Sequence, residues 1–315
     1  MIKSILVALI SGLLAASVQA RINISLAWPY SPSHGATPAI LALVEEANKS
    51  QNNYNFVFEP KPGADGFVAI QHMNQLPSNR LSVIAAGFVD LVMQGKVIES
   101  DYEHVVGLGD MCFAVWMKNA NPAMGFDSVK NQGEITVGNV AWGNASHLIA
   151  LSVAEKYDMK VRNIVFKSNR EGLLNLAQGG GVTLVVDKAD AFNDFRSHAQ
   201  TQAYPAAVTC SQRLSQWPNT KTLKEQGINS VAPWLIITSN KEMPLETRAA
   251  VQEILDQSIA RLGSSKFLEL GSLYPLVFHK NTNIKNFYQE RASLQKMLIT
   301  KFRPIIDADR GVASK

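Results

Sequence analysis

Short apolar or alternating runs, separated by polar loops, recur along the chain, and most of them are followed by a stretch with helical periodicity. The runs predict strands at 22–28, 54–59, 81–86, 104–117, 135–140, 161–166, 182–186 and 234–239. The periodic stretches predict helices at 39–47, 67–74, 147–157, 172–177, 245–262 and 283–299. Strands that alternate with helices predict α/β layers built on mainly parallel sheets.

Polar loops follow the predicted strands, and in such sheets ligands bind outside the carboxyl ends of the strands. The loops lie at 29–37, 61–66, 141–146, 167–170 and 187–188, and four of them lead directly into helices. A helix N-terminus offers unpaired N–H groups and the positive end of the helix dipole, which favour an anion. The loops therefore indicate a small anionic ligand, above all a carboxylate, although ordinary helix caps would give the same pattern.

Two of these loops carry helix-start signals. Thr37 and Pro38 predict an N-cap followed by proline at the first helical position. Ser168 and Glu171 have the spacing of a capping box. We therefore expect helices to begin at both loops.

The first 20 residues predict a signal peptide. A short positive start precedes the apolar run 5–16, and the small residues Val18 and Ala20 fit a cleavage site after Ala20. The run is too short to cross a hydrocarbon core of about 30 Å. We therefore expect export to the periplasm, with an uncleaved anchor as the alternative.

Composition narrows the function classes. The 315 residues are 46% hydrophobic and 18% charged, which is enough for two domains with real cores. The formal net charge of +4 is small and dispersed, so we expect no nucleic-acid partner.

Export would permit a disulfide bridge between Cys112 and Cys210. Two separate buried thiols are slightly favoured, because the sequence does not fix the short Cα separation that a bridge needs.

Other chemistries find little support. The six histidines, at 34, 72, 104, 147, 198 and 279, show no metal-site spacing. The chain has no G-x-S-x-G motif. The Gly107–Asp110 stretch lacks the third glycine of a dinucleotide loop. The glycines 179–181 follow a helix and so predict its end. We expect no metal, no cofactor and no catalytic residue.

Five stretches, in order along the chain, resemble motifs of the Bug family, the extracytoplasmic solute receptors of tripartite tricarboxylate transporters. They are PYSPSHG at 29–35, KPGADG at 61–66, AWGNASHL at 141–148, LAQGGGVTLVVD at 176–187 and WPNTKTLKEQG at 217–227. The resemblance covers most of residues 21–300 and is thin from about 76 to 110.

The resemblance implies a two-lobed α/β fold of the type II periplasmic binding proteins, with the ligand closed in a cleft between the lobes. Two crossing segments, near 112–120 and 232–240, would divide the chain into lobe one (21–120 and 232–315) and lobe two (121–231). It also implies a monomeric receptor that delivers a small carboxylate to membrane transporter subunits. Two alternatives are a sensory or adaptor protein that has lost transport and an enzyme that uses the same fold.

The resemblance also places the binding residues in the polar loops. Where the family has paired glycines, this chain has Ser33 and His34, and Trp142 replaces a small or amide residue. The expected ligand-binding residues are Tyr30, Ser31, Ser33, His34, Gly35, Thr37, Gly63, Ala64, Asp65, Gly66, Trp142, Asn144, Ala145, Ser146, His147, Ser168, Asn169 and Asp187. Asp187 would suit a ligand ammonium or hydroxyl group, or it would cap the next segment.

Overall fold

The strands form two five-stranded sheets in a computed structural model that describes residues 20–189, 191, 202–215, 217–280 and 282–311. The strands are β1 (Ile22–Trp28), β2 (Tyr54–Pro60), β3 (Arg80–Ile84), β4 (Tyr102–Asp110), β5 (Phe113–Lys118), β6 (Glu134–Asn139), β7 (Lys160–Val165), β8 (Leu184–Lys188), β9 (Ala203–Val208) and β10 (Trp234–Asn240). Their order is β2-β1-β3-β10-β4 in the first sheet and β7-β6-β8-β5-β9 in the second.

Each sheet has four strands in one direction and one reversed strand. In the first sheet β10 pairs antiparallel with both β3 and β4, while β1 pairs parallel with β2 and β3. In the second sheet β5 pairs antiparallel with both β8 and β9, while β6 pairs parallel with β7 and β8. The reversed strand is the one that follows each passage of the chain between the sheets. The two-lobed α/β fold with mainly parallel sheets is therefore confirmed.

Helices flank both sheets. They are α1 (Thr37–Lys49), α2 (Phe67–Asn74), α3 (Ala86–Met93), α4 (Ala145–Tyr157), α5 (Asn169–Ala177), α6 (Leu245–Leu262), α7 (Ser264–Gly271) and α8 (Ile284–Asp309). Helices α4 and α5 pack against the second sheet, whereas α1, α2, α6 and α8 contact strands of the first. Helix α8 also contacts α4, so it links the two halves. None of the helices in the described ranges has the length and apolar character that a membrane span requires.

The apolar stretch 104–117, predicted as one strand, is two strands in different sheets. The chain leaves the first sheet after Asp110 and enters the second at Phe113. Between them the Met111 N–H donates to the Pro233 carbonyl and the Cys112 N–H donates to the Ser272 carbonyl, both at 2.7 Å. Both strands are buried, so their apolar sequences run together without a polar break that would mark the passage.

Cys112 and Cys210 form a disulfide, which corrects the slight preference for separate thiols. Their Cα atoms lie 4.7 Å apart. Cys112 precedes β5, and Cys210 follows β9, which pairs with β5. Strand pairing therefore brings together two cysteines that are 98 positions apart in sequence.

Several element limits also differ from the predictions. Thr37 is the first residue of α1 rather than its N-cap, which is Ala36, although the proline lies in the first turn as expected. Helix α8 continues to Asp309 through the internal Pro304. Strand β9 and helices α3 and α7 were not predicted, because their short segments carry few turn or capping signals.

Candidate ligand-binding cleft

A small cavity of about 30 Å³, here called the inner cavity, lies between the two sheets. Its lining residues are Tyr30, His34, Ala85, Ala86, Met111, Phe113, Val140, Asn144, Ala145, Ser146, Asn169, Pro233 and Trp234. They come from both sheets and from both passages between them. No Asp, Glu, Lys or Arg is among them.

Three helices start at the inner cavity. Ala86, Ala145 and Asn169 are the first residues of α3, α4 and α5, and all three line it. Side-chain caps fix two of these starts: Asn144 accepts from the His147 N–H at 3.0 Å, and Ser168 accepts from the Glu171 N–H at 3.3 Å. The first turns of the three helices point their positive dipole ends toward one small volume, which suits an anion.

His34 presents a neutral ring to the inner cavity. The ring is buried and stacks on Tyr30, with centroids 4.3 Å apart and planes at 10°. Burial lowers the pKa of His34 to about 3. The Nδ1 atom accepts from the Ala36 N–H at 3.2 Å, so the proton of the neutral ring is on Nε2. The loop 29–36 therefore supplies the Nε2–H group of His34 as a hydrogen-bond donor.

A second cavity of about 320 Å³, here called the outer cavity, adjoins the inner one at Tyr30 and Val140, and its volume is within the range of small-molecule sites. Its lining residues are Pro29, Tyr30, Ser31, Pro62, Gly63, Ala64, Asp65, Gly66, Val140, Phe166 and Lys167. The four residues 63–66 all have positive φ, at 129°, 47°, 56° and 90°. Ala64 and Asp65 are not glycines, so this conformation stores backbone strain, which is concentrated at functional sites.

Asp65 has an unusual environment in this strained loop. Its Oδ2 atom is buried and has no hydrogen-bond partner. Burial, reinforced by the nearby Asp90 carboxylate, raises the pKa of Asp65 to about 7, against the opposing charges of Arg310 and Lys96. Burial also raises the pKa of Tyr30, helped by the Asp65 carboxylate, so the Tyr30 hydroxyl stays protonated.

The two halves touch at Gly35. A Cβ atom on Gly35 would lie 2.9 Å from the Asp187 Oδ1 and 3.3 Å from the Lys188 Cβ. Asp187 is buried at the end of β8, and its Oδ1 accepts from the Lys188 N–H at 2.7 Å. Only a glycine lets loop 29–36 approach β8 this closely, so a side chain at residue 35 would push this loop away from β8.

The structure brings most of the expected binding residues to the two cavities. Those that line one or both are Tyr30, Ser31, His34, Gly63, Ala64, Asp65, Gly66, Asn144, Ala145, Ser146 and Asn169. The Asn169 Oδ1 atom is buried without a hydrogen-bond partner. Gly35 and Asp187 form the contact between the halves.

Five expected residues lie elsewhere. Ser33 is exposed, and its hydroxyl lies 2.7 Å from the Ser31 hydroxyl. Thr37 is buried, with its hydroxyl 3.5 Å from the Ser31 carbonyl. Ser168 is a helix cap, and Trp142 lines a neighbouring cavity that also contains Asp90 and Arg310.

His147 is turned away from both cavities. Its Nδ1 atom accepts from the Gly143 N–H at 3.1 Å, and its Nε2 atom lies 3.4 Å from the Asp309 Oδ2 of α8. The ring is fully buried. The His147 side chain therefore connects α4 to α8, and only its backbone N–H serves the start of α4.

Several lining residues could not be identified from the sequence. Ala85, Ala86, Phe113, Phe166 and Trp234 are apolar and lie in segments without polar motifs. The first two belong to the start of α3, a helix that the pattern did not predict. No group of three or more His, Cys, Asp or Glu residues with metal-binding geometry occurs within the described ranges.

Comparison with known proteins gives the fold. No protein-family model and no curated protein matches the sequence. Solved structures do match. A TctC solute-binding protein from Polaromonas, solved without ligand, is 23% identical, with a TM-score of 0.61 over 89% of this chain and 98% of that one. The periplasmic binding protein BugD is 20% identical, with a TM-score of 0.69 over 90% and 97% of the two chains.

A third similar structure contains a ligand. MatC from Rhodopseudomonas palustris, with bound malate, is 16% identical, with a TM-score of 0.67 over 90% of this chain and 98% of that one. The chain thus has the fold of the TctC- and Bug-type solute-binding proteins. The resemblance seen in the loop motifs is confirmed at the level of the fold.

Proposed function

We propose that this protein is an extracytoplasmic receptor that captures a small organic acid in the inner and outer cavities. The observation that carries the proposal is the meeting of the first residues of α3, α4 and α5 at a cavity without charged side chains. Backbone N–H groups and neutral donors can bind a carboxylate there without a cationic side chain. The bound malate of MatC is of this chemical class.

The two-lobed fold supports capture by closure. The cavities have walls from both sheets, so a ligand that contacts both walls favours the closed arrangement. We place the lobe boundaries near the passages between β4 and β5 and between β9 and β10. The expected boundary after residue 120 lies just beyond β5, which pairs within the second sheet.

Export and delivery complete the proposal. Residues 1–20 would be removed as a signal peptide in the periplasm; all of them except Ala20 lie outside the described residues. The receptor would then deliver its ligand, as a monomer, to membrane subunits of a tripartite tricarboxylate type of transporter. N-terminal sequencing of exported protein should begin at Arg21.

Ser146 provides the test of the site. Ser146 is buried and lines the inner cavity, whereas Ser33 is exposed on the outer side of the neighbouring loop. A hydrogen bond to a charged group contributes about 1.5 to 3 kcal/mol, so Ser146→Ala should weaken acid binding about 10- to 100-fold. Ser33→Ala should change it little.

The ligand for this titration is the acid identified by mass spectrometry of the natively purified protein. Calorimetry measures binding, and chromatography of the mixture shows whether the acid is returned unchanged. Equal affinities for the parent and Ser146→Ala would contradict the site. Conversion of the acid to a product would contradict a receptor function and favour an enzyme on the same fold.

A further inference from the structure

Asp65 offers a hydrogen-bond acceptor that the protein itself does not use. Its Oδ2 atom is buried and unpartnered, and the residue lines the outer cavity. The side chain packs on the first turn of α3: a Cβ atom on Gly87 would lie 2.5 Å from the Asp65 carboxyl carbon. The backbone of Asp65 is left-handed, with φ at 56°. Packing and backbone together fix the position of the carboxyl group beside the start of α3.

The arginine that acts most strongly on the Asp65 carboxyl group is already paired with another carboxylate. Arg310, directly after α8, lies 2.5 Å from the Asp90 Oδ2, and Arg303 of α8 lies 3.8 Å from the Asp90 Oδ1. Lys96, which follows α3, is exposed to solvent. The Tyr30 hydroxyl approaches Asp65 from loop 29–36. Lys167 lines the outer cavity from the second half. Within the described part of the chain, no cation lies within 4.0 Å of the Asp65 carboxylate.

An ionised carboxylate in this position penalises some ligands and favours others. A plain dicarboxylate would bring a second negative charge close to Asp65 in a partly dehydrated site, which is unfavourable. A ligand hydroxyl or ammonium group would instead donate to the free oxygen and satisfy it.

We propose that Asp65 is a specificity-determining residue that makes the cleft prefer acids bearing a hydroxyl or ammonium group. The inference rests on the proposed receptor function and adds the chemical class of its ligand. A plain dicarboxylate should bind well only when Asp65 takes up a proton. Its binding should therefore tighten as the pH falls from 8 toward 6.5, because the raised pKa of Asp65 is about 7.

The experiment compares succinate, L-malate and L-aspartate, which share a four-carbon diacid skeleton and differ in the donor. Calorimetry at pH 8 uses the parent, Asp65→Asn and Asp65→Gly, with Asp101→Asn as the matched control on an exposed carboxylate. Glycine accepts the left-handed backbone at residue 65, and asparagine keeps the size of the side chain, so a folded variant is available from either change.

In the parent and the control, malate or aspartate should bind about 10- to 100-fold more tightly than succinate. This is the change in affinity that one hydrogen bond to a charged group produces. Both Asp65 variants should bind succinate more tightly than the parent and should lose most of this preference. Their succinate affinity should also change much less between pH 6.5 and pH 8 than that of the parent and the control, both of which keep the Asp65 carboxyl group.

Three results would overturn the assignment. Equal binding of the three acids to the parent, or a preference retained in Asp65→Gly, would contradict the role of Asp65 and leave the receptor function intact. Failure of all three acids to bind the parent and both variants would contradict the proposed receptor function and this inference with it.

Discussion

Burial of Asp65 should make the stability of the ligand-free protein depend on pH. The pKa of Asp65 is raised from an ordinary value near 4 to about 7 in the folded state, so the folded protein holds this proton more tightly than the unfolded chain. Its contribution to the free energy of unfolding should therefore fall as the pH rises from about 4 to about 7, and change little above that.

Asparagine at residue 65 removes the titration. Asp65→Asn should gain at least about 1.4 kcal/mol relative to the parent between pH 4.5 and pH 8, which is the equivalent of one pKa unit. Urea unfolding at both pH values measures the difference, with Asp101→Asn as the exposed control. Parallel stability profiles for the parent and Asp65→Asn would show that Asp65 titrates normally.

Several residues that line the inner cavity were predictable where a polar motif follows a strand, as for His34, Asn144, Ser146 and Asn169. The direction of each side chain was not. His147 follows directly after Ser146 in the same motif, but one step along a helix rotates a side chain by about 100°, which takes its ring to α8. The sequence did not identify Ala85 and Ala86 as lining residues. Residues at a helix start can contribute through their backbone N–H groups, and these groups are the same whatever the side chain.

At the level of elements, α8 and the residue after it make ion pairs of very different burial, one with α3 of the first half and one with α4 of the second. Arg310 pairs with Asp90, which is 1% exposed, and its Nη2 also donates to the Trp142 carbonyl at 3.3 Å. Lys301 pairs with Glu155 of α4, and both of these side chains are about half exposed. The two contacts therefore offer a matched comparison on one helix.

Arg310→Ala should lower the free energy of unfolding by about 3 to 5 kcal/mol, because it leaves a buried carboxylate with the Gln94 amide and, as a cation, Arg303 at 3.8 Å. Lys301→Ala should cost less than about 1 kcal/mol, since an exposed pair contributes little. Urea unfolding at neutral pH measures both. Equal losses for the two variants would mean that the Asp90 charge is compensated without Arg310.

The disulfide belongs to the same scale, because it joins the segment before β5 to the segment after β9. Replacing both cysteines, as Cys112→Ser with Cys210→Ser, should destabilise the protein by about 2 to 5 kcal/mol, since the bridge closes a long loop in the unfolded chain. Guanidinium unfolding of this variant and of the reduced parent should give similar midpoints. Unchanged stability of the variant would show that the strand pairing alone holds these segments.

Most elements were predictable because each begins or ends at a capping, glycine or proline signal, as at Ser168 and Gly179. The passage at 111–112 was not, since two buried strands of different sheets follow each other as one apolar run. The pairing of the cysteines was not predictable from the sequence either, because it follows from the pairing of strands β5 and β9 in the second sheet. Sheet order is a long-range property that local periodicity does not contain.

For the whole molecule, closure depends on how closely loop 29–36 can approach β8. Gly35 faces the Asp187 carboxylate at a distance that leaves no space for a methyl group. Gly35→Ala should therefore keep the halves apart without disturbing either core, because residue 35 lies in a loop and the clash is entirely between the halves. An acid that contacts both walls would then lose one set of contacts.

Small-angle scattering of the parent should show a smaller radius of gyration with the co-purified acid than after its removal. Gly35→Ala should keep the larger radius in both states, and its affinity should be at least about 10-fold weaker, which corresponds to one lost hydrogen bond to a charged group. Ser33→Ala, a change on the exposed side of the same loop, should behave as the parent. If Gly35→Ala binds and compacts like the parent, the approach of Gly35 to Asp187 does not limit closure, and the two walls meet elsewhere.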